Sequence, residues 1–376
     1  MVKVVFLFDR VMHYHKGLFV RLDAELARHG IELVLLSGRE KSTTTGRVAL
    51  KTSVVKNQIE FDLTERPVGS FTIRYQKGVV AKIAELKPAI VVSMCHSGTY
   101  SEWQIARLKN KLGFKLVAWQ CGYEFNPGRL KQWVLGRFVP RFDHHLAYHT
   151  NAKHYALAHG ARPDQITVMH NTINEATIEC MPKAAARNLV DTKWPAVANK
   201  RIILYVGAVL EEKKLEVVFA ALDLLKRPDV IFLMVGDGPH LPAIMKNYGH
   251  RADFVSTGQI VDGVGPYFDA ADVFILPGTG GLAINEAMAH GLAVVSGYAD
   301  GSADDLVIDG QNGYRLHSGT AQEIAQRLGQ VLDAPDKAAA MGATGHKMIH
   351  GELSFDRFIQ RVVGVLVNTS KQNEAT

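Results

Sequence analysis

Residues 272–295 constrain the fold more than any other stretch. An apolar run, Asp272-Val273-Phe274-Ile275-Leu276, leads into Pro277-Gly278-Thr279-Gly280-Gly281, and a second run, Leu292-Ala293-Val294-Val295, follows Gly291. The segment between reads as a helix that opens on adjacent glycines and closes on Gly291. Strand, glycine-rich turn, helix and strand make a crossover, which belongs to a parallel sheet covered by helices. The turn has a second property. Backbone amides at a helix N-terminus point outward at the positive end of the dipole, an arrangement that suits a phosphate. Glu286 lies about a turn further in, within reach of the same mouth. A buried crossover with packing glycines would use the same residues without any ligand.

The alternation runs through the whole chain. Strands are predicted at Val2–Phe8, 31–36, 90–94, 115–119 and 145–148, and helices at 16–29, 73–86 and 101–112. Residues 38–62, rich in Thr, Ser and Lys, read as a loop-and-strand excursion, and 168–172 end the last strand of this half. Residues 175–199 lose periodicity and carry Pro182 and Pro195, which reads as a linker. A second series follows, with strands at Arg201–Val206, Val230–Val235, Phe254–Ser256 and Val273–Leu276 and a last helix at 355–367 behind Ser354. The fold class is therefore α/β: an N-terminal domain over 1–175, a linker over 176–199, a C-terminal domain over 200–352 and a terminal helix and tail over 353–376. Open sheets of this kind bind ligands beyond the carboxyl ends of their strands.

Composition limits the partners. The chain is 47% hydrophobic and 21% charged, enough apolar residue for two cores. Residues 1–175 hold 25 Lys and Arg against 14 Asp and Glu, a balance of +11, and the remainder carries −5. A basic half beside an acidic one predicts an anionic partner for the first. Cys95, Cys121 and Cys180 are too few and too scattered for a disulfide framework, which points to a reducing compartment. Met1-Val2-Lys3 runs straight into a strand, with no leader pattern, and no apolar run reaches the ~18 residues of a membrane span. A cytoplasmic protein, peripheral at the inner face of a membrane, is the expectation.

Six motifs, in order and properly spaced, resemble those of glycosyltransferase family 4, the retaining GT-B enzymes. They are Tyr205-Val206-Gly207 with Glu212-Lys213-Lys214; Val235-Gly236-Asp237-Gly238-Pro239; Ala271-Asp272-Val273-Phe274-Ile275-Leu276-Pro277; Glu286-Ala287-Met288-Ala289 with Gly291; Asp309-Gly310 with Asn312-Gly313; and Asn171-Thr172-Ile173-Asn174. The resemblance implies a GT-B architecture: two Rossmann-like domains facing across a cleft, a nucleotide sugar held mainly by the second, and a last helix that crosses back to the first. Two positions depart from the family pattern. Gly278 stands where the first of two glutamates eight apart is usual, and Ala208 stands where an arginine is usual.

The resemblance and the chemistry together name the candidates. Gly207, Lys213, Gln259, Ile260, Thr279, Gly280, Gly281, Leu282 and Glu286 are expected to bind the donor. Charge grows on the departing diphosphate, so the amides of residues 279–281 and the Lys213 cation are expected to stabilise it. Glu286 would accept hydrogen bonds from ribose hydroxyls. Lys213, Glu286 and His96 are the catalytic candidates, and His13, Gln120, Glu124 and His149, at strand ends of the first half, are candidates for the acceptor. No Asp-x-Asp pair follows a strand where a nucleotide-bound metal would be expected, and His144-His145 with His149 lacks supporting ligands. No metal and no cofactor are expected.

The leading reading is a retaining, metal-independent transferase that moves a sugar from a UDP-sugar, favoured over a GDP-sugar, to a glycan or lipid-linked glycan, as in surface polysaccharide synthesis. An epimerase or hydrolase of the same shape, or a non-catalytic nucleotide-sugar-binding subunit, is the alternative. Residues 127–142 interleave Arg129, Lys131, Arg137 and Arg141 with Leu130, Trp133, Val134, Leu135 and Phe138, a pattern that suits an anionic membrane surface or a helix packed on the sheet. Nucleic acid is disfavoured, because the basic residues are spread over several elements and no recognised motif is present.

Overall fold

The computed structural model describes residues 1–12, 15–39, 53–68, 71–122, 128–260 and 262–374. They divide into two compact units, one holding residues 1–12, 15–39, 53–68, 71–122, 128–171 and 356–374, the other residues 172–260 and 262–355.

In unit 1 the apolar runs form strands because β-branched and aromatic residues fill a pleated surface covered on both faces. The order is β1 (Val2–Phe8), α1 (His15–Arg28), β2 (Ile31–Gly38), β3 (Gln58–Phe61), β4 (Leu63–Val68), β5 (Phe71–Gln76), α2 (Val79–Leu86), β6 (Ile90–Ser93), α3 (Tyr100–Leu112), β7 (Lys115–Gln120), α4 (Arg129–Phe138), β8 (His144–Ala147), α5 (Thr150–Ala158) and β9 (Ile166–Val168). Seven strands pair in parallel in the order β3-β2-β1-β6-β7-β8-β9, and β4 and β5 form a separate antiparallel ribbon. The ribbon corrects the helix expected over 73–86: Phe71–Gln76 pairs with Leu63–Val68, and only Val79–Leu86 is helical. Its Ile73 and Tyr75, both exposed, stand two apart, the period of a strand.

Unit 2 repeats the plan with α6 (Lys183–Lys193), β10 (Arg201–Val206), α7 (Glu216–Leu225), β11 (Val230–Val235), α8 (Leu241–Tyr248), β12 (Phe254–Ser256), α9 (Gly265–Ala270), β13 (Val273–Leu276), α10 (Leu282–Ala289), β14 (Val294–Ser296), α11 (Ala303–Leu306), β15 (Gly313–Arg315), α12 (Ala321–Leu332) and α13 (Pro335–Ile349). Its sheet order is β12-β11-β10-β13-β14-β15, parallel throughout. The stretch read as a linker is α6, which buries Ala186 and Val190 in the core of this unit. Two small apolar residues four apart are enough for a one-sided helix, and they are too few to register as periodicity.

The last helix, α14 (Phe355–Glu374), is longer than the expected 355–367, and from residue 356 it belongs to unit 1. There Phe358 meets the Trp119 ring edge-on at 6.0 Å, and Trp119 in turn packs on Phe8 at 5.9 Å. Arg21 pairs with Asp356, and Asn373 Nδ2 donates to the carbonyls of Ala89 and Gly113. The final helix therefore closes one face of the first sheet.

In both sheets the order reverses between two central neighbours, β1 and β6 in unit 1 and β10 and β13 in unit 2. Crevices at such reversals, beyond the carboxyl ends of the strands, are where open α/β sheets take ligands.

Two glycines separate packing from propensity. A Cβ on Gly342 of α13 would lie 1.8 Å from the Gly291 carbonyl, whereas a Cβ on Gly364 of α14 would meet nothing within 4 Å. Gly342→Ala is therefore expected to destabilise unit 2 by about 3 kcal/mol through overpacking against rigid backbone. Gly364→Ala should be neutral or stabilising by about 0.5–1 kcal/mol. Urea unfolding of the full chain checks both, and equal effects would contradict the assigned packing.

Candidate functional site

The reversal in unit 2 is lined by the loop after β10 and the glycine-rich turn after β13. Gly207 leaves β10 with φ 148°, and its N–H donates to the Val235 carbonyl. The Tyr205 hydroxyl, buried beneath, donates to Ala208 O at 2.8 Å. Residues Glu211–Lys213 form a 3-10 turn, which Lys214 ends at φ 53°. This turn lies directly on the glycine-rich one. Thr279 N–H donates to Glu212 O at 3.0 Å, and Lys213 Nζ donates to Thr279 O at 2.5 Å.

That contact explains Gly278. A Cβ there would stand 2.2 Å from Glu212 O and 2.6 Å from the Lys213 Cα. No side chain fits, so the glutamate usual at this position is excluded by backbone. The same contact corrects one expectation. The Thr279 amide is occupied by Glu212, while those of Gly280 and Gly281 have no partner among the described residues. A Cβ on Gly280 would lie 3.0 Å from Lys213 Nζ, so the cation borders the turn that carries these amides.

Glu286 is partly buried on α10, and its carboxylate has no hydrogen-bond partner among the described residues. Burial alone pushes its pKa up to about 7. An ionisable group held this way costs stability unless something arrives to use it. Its neighbour Asn285 is fully buried and donates from Nδ2 to Thr172 Oγ1 at 3.1 Å, while Asn285 Oδ1 is unsatisfied. Gln259 is exposed past β12, and Ile260 packs on the core. Leu282 opens α10.

Two residues that sequence reasoning missed complete this end of the unit. The loop after β14 turns through Ala299 at φ 57° and brings Asp300 and Ser302 against Gly281. A Cβ on Gly281 would meet Ser302 Oγ at 2.7 Å and the Asp300 oxygens at 3.0 and 3.1 Å. The only signal in sequence was a strand end followed by small residues. Asp304 and Asp305 open α11, and Asp304 pairs with Arg315.

At the reversal of unit 1, β1 ends at Asp9 and β6 leads to His96. His96 Nδ1 stands 3.5 Å from Asp9 Oδ2, a long ionic contact. Gln76 Nε2 donates to Asp9 Oδ1 at 2.6 Å, and Ser101 Oγ donates to Gln76 Oε1 at 2.8 Å. Glu102, on the first turn of α3, accepts from Ser93 Oγ and from His96 N–H through one oxygen. Burial raises the Glu102 pKa to about 7, against the pull of His96. Asp9 and Glu102 in turn raise that of His96 despite burial. Among the acceptor candidates, Gln120 is buried, its Oε1 accepting from His145 Nδ1 at 3.0 Å. His149 caps α5, its Nδ1 accepting the Ala152 N–H at 3.1 Å. His13 and Glu124 lie outside the described residues. The histidine pair does not gather: His144 Nε2 bonds Thr167 Oγ1, and burial lowers the His145 pKa to about 4.

Comparison with known proteins bears on the family and the fold. Residues 187–348 match the family described as Glycosyl transferases group 1. A sulfoquinovosyl transferase of Arabidopsis thaliana is 32% identical over 140 residues, 36% of this chain and 27% of that protein. A GDP-mannose-dependent monoacylated alpha-(1-6)-phosphatidylinositol monomannoside mannosyltransferase of Corynebacterium glutamicum is 26% identical over 253 residues, 63% of this chain and 60% of its own length. The chain thus spans less than two thirds of either relative. The crystal structure of HepE from Anabaena in complex with UDP superposes with a TM-score of 0.75 over 98% of this chain and 100% of that one, at 18% identity. The fold is that of the GT-B glycosyltransferases, with two Rossmann-like domains.

The unpartnered carboxyl of Glu286 has a signature of its own. The folded protein keeps its proton up to about pH 7, whereas the unfolded chain gives it up near the ordinary value of 4.5. Stability is therefore lost as pH rises through that window, and the loss is complete above it. Glu286→Gln, neutral at every pH, should leave stability at pH 4 nearly unchanged and raise it at pH 8 by roughly 1–3 kcal/mol. Urea unfolding at the two pH values reads this, and equal effects at both would refute it.

Proposed function

We propose, on the premise that residues 187–348 form a Glycosyl transferases group 1 domain, that the chain is a retaining glycosyltransferase using a nucleotide-sugar donor. The observation that carries this is the meeting, at the reversal of one sheet, of unpartnered amides at Gly280 and Gly281, the Lys213 cation and the partnerless Glu286.

Each group has a task in that reaction. The bond from C1 of the sugar to the diphosphate oxygen breaks, and negative charge grows on the diphosphate. Lys213 and the two amides are preorganised for that charge, which is where electrostatic stabilisation accelerates a reaction. Glu286 accepts from the ribose hydroxyls, and Gly207 allows the backbone close to the phosphates. Gln259 and Ile260 border the base. The acceptor hydroxyl attacks C1 on the face the diphosphate leaves, and its proton passes to a phosphate oxygen, so no protein nucleophile is needed. Asp300, beside Gly281, supplies an acceptor for sugar hydroxyls that Gly278 cannot offer. Acceptor binding is assigned to unit 1, with His96 held by Asp9. The mechanism uses no metal, since Lys213 and the amides take the cation's role.

The UDP preference rests on the whole-length likeness to HepE, solved with UDP; the GDP-mannose-dependent relative is the competing case. That relative acts on a phosphatidylinositol mannoside, which supports a lipid-linked glycan as acceptor here. The test is a panel of UDP- and GDP-sugars incubated in excess EDTA with lipid-linked glycan acceptors. Release of UDP and an α-linked product, its anomeric configuration read by NMR, are expected. Inversion at C1, activity restored only by Mn²⁺, or preference for GDP-sugars would overturn the corresponding part.

We also propose that unit 1 rests on an anionic membrane surface. Among the described residues, no helix is long and apolar enough to cross a membrane. On α4 Leu135 and Phe138 are buried, so Phe138, expected at the lipid, packs inward. The outward face keeps Leu130 at 67% and Trp133 at 58% exposure, with the Arg137 guanidinium 3.9 Å over the Trp133 ring. Large apolar groups and cations on one exposed face suit the headgroup boundary, where each basic residue near the surface is worth about 1 kcal/mol. Replacing Arg129, Lys131 and Arg137 by Ser should reduce sedimentation with phosphatidylserine vesicles at least tenfold and leave UDP affinity intact. Equal binding to neutral vesicles would make α4 an ordinary packed helix.

A further inference from the structure

A second cluster of chemical groups lies at the other end of α10, roughly 12 Å along the helix from the glycine-rich turn. Cys180, Asp269 and His290 come from three separate segments of unit 2, and one donor atom of each falls within 4.8 Å of the others. Cys180 Sγ lies 3.6 Å from His290 Nδ1, and Asp269 Oδ1 lies 2.7 Å from the same nitrogen. The arrangement is built and held. The His290 and Asp269 side chains are 1% and 5% exposed. The His290 ring stacks on Phe268 at 5.1 Å and 7°, and Asp269 Oδ2 accepts the Met181 N–H at 2.9 Å. Cys180 forms the open side, because it is exposed.

The geometry decides between two chemistries. A nucleophilic cysteine needs its acid partner on one ring nitrogen of the histidine and its orienting carboxylate on the other. Here sulfur and carboxylate both address Nδ1, so the ring cannot relay a proton between them. Convergence of thiol, imidazole and carboxylate on one point is what a tetrahedral cation requires. With a Zn–S bond of about 2.3 Å and a Zn–N bond of about 2.0–2.1 Å, a tetrahedral angle sets S and N about 3.6 Å apart.

We propose that Cys180, Asp269 and His290 bind one divalent cation of the zinc class, with water from the exposed side as the fourth ligand. On binding, the thiol proton is released to solvent, the imidazole proton moves from Nδ1 to Nε2, and the Nδ1 to Asp269 hydrogen bond is replaced by two bonds to the metal. The resulting thiolate and carboxylate neutralise the dication. The site is independent of the donor groups. It fastens the segment before α6 to α9 and α10, and so acts on the stability of unit 2.

The experiment uses the full chain without a histidine tag, stripped of metal and titrated with Co²⁺. One equivalent should bind with intense visible bands of tetrahedral cobalt and a near-ultraviolet thiolate band, and Zn²⁺ should displace it and raise the melting temperature. Cys180→Ser, an exposed position, should remove the thiolate band and weaken Zn²⁺ binding at least tenfold while UDP binding stays unchanged. His290→Asn should weaken Zn²⁺ to the same degree, whereas Cys95→Ser and Cys121→Ser should change neither signal. A band that survives Cys180→Ser, or no binding at micromolar Co²⁺, would overturn the assignment.

Discussion

The site in unit 2 depends on carbonyl oxygens standing where side chains would begin. A Cβ on Gly236 would lie 1.8 Å from Gly207 O, one on Gly238 2.3 Å from Val209 O, one on Gly278 2.2 Å from Glu212 O, and one on Gly297 2.3 Å from Pro277 O. These contacts join the loops that leave β10, β11, β13 and β14, four neighbours at the carboxyl edge of the sheet. Loops in van der Waals contact through their backbones have little freedom, and donors fixed in advance cost no reorganisation when charge appears. The amides of Gly280 and Gly281 and the ammonium of Lys213 owe their positions to this edge. Gly278, a departure when motifs alone are compared, is one of its members.

The two reversals use opposite strategies for their ionisable groups. In unit 2 Glu286 is left without a protein partner, and its raised pKa comes from burial alone. In unit 1 Asp9, Gln76, Ser101, Ser93, Glu102 and His96 form a connected chain of hydrogen bonds and ionic contacts. A connected network holds its members in place, while a group left open has binding free energy to gain from a ligand. One reversal leaves a buried carboxyl open, and the other ties its ionisable groups to one another.

Much of this was legible in the sequence, and the rest was not for identifiable reasons. The parallel sheets and the glycine turn at 277–281 could be read because apolar strands and glycines occupy fixed local spacings. The β4–β5 ribbon was missed although Ile73 and Tyr75 stand two apart at the period of a strand, because the helix that follows at 79–86 extends the apolar run. The α6 helix buries too little to register. The occupied Thr279 amide, Asp300 beside Gly281 and the closure of Phe138 inward are tertiary facts. The Cys180 cluster joins residues 110 positions apart, beyond any local pattern. The cap on α5 is likewise a fact of the structure, with His149 Nδ1 accepting the Ala152 N–H.

The path of the chain has a consequence for how the protein is made. Unit 1 includes both ends of the described chain, and residues 172–355 are nested within it. The nested segment has its ends fastened together, for Glu175 accepts the backbone N–H of Phe355 at 2.9 Å. In a chain made from its N-terminus the inner unit is complete in sequence before the closing helix of the outer one is made, and Trp119 waits for Phe358. Synthesis order and structural order run in opposite senses here: the part begun first is finished last. An inserted module with joined ends is also one that recombination can exchange whole, leaving the host sheet and its final helix untouched.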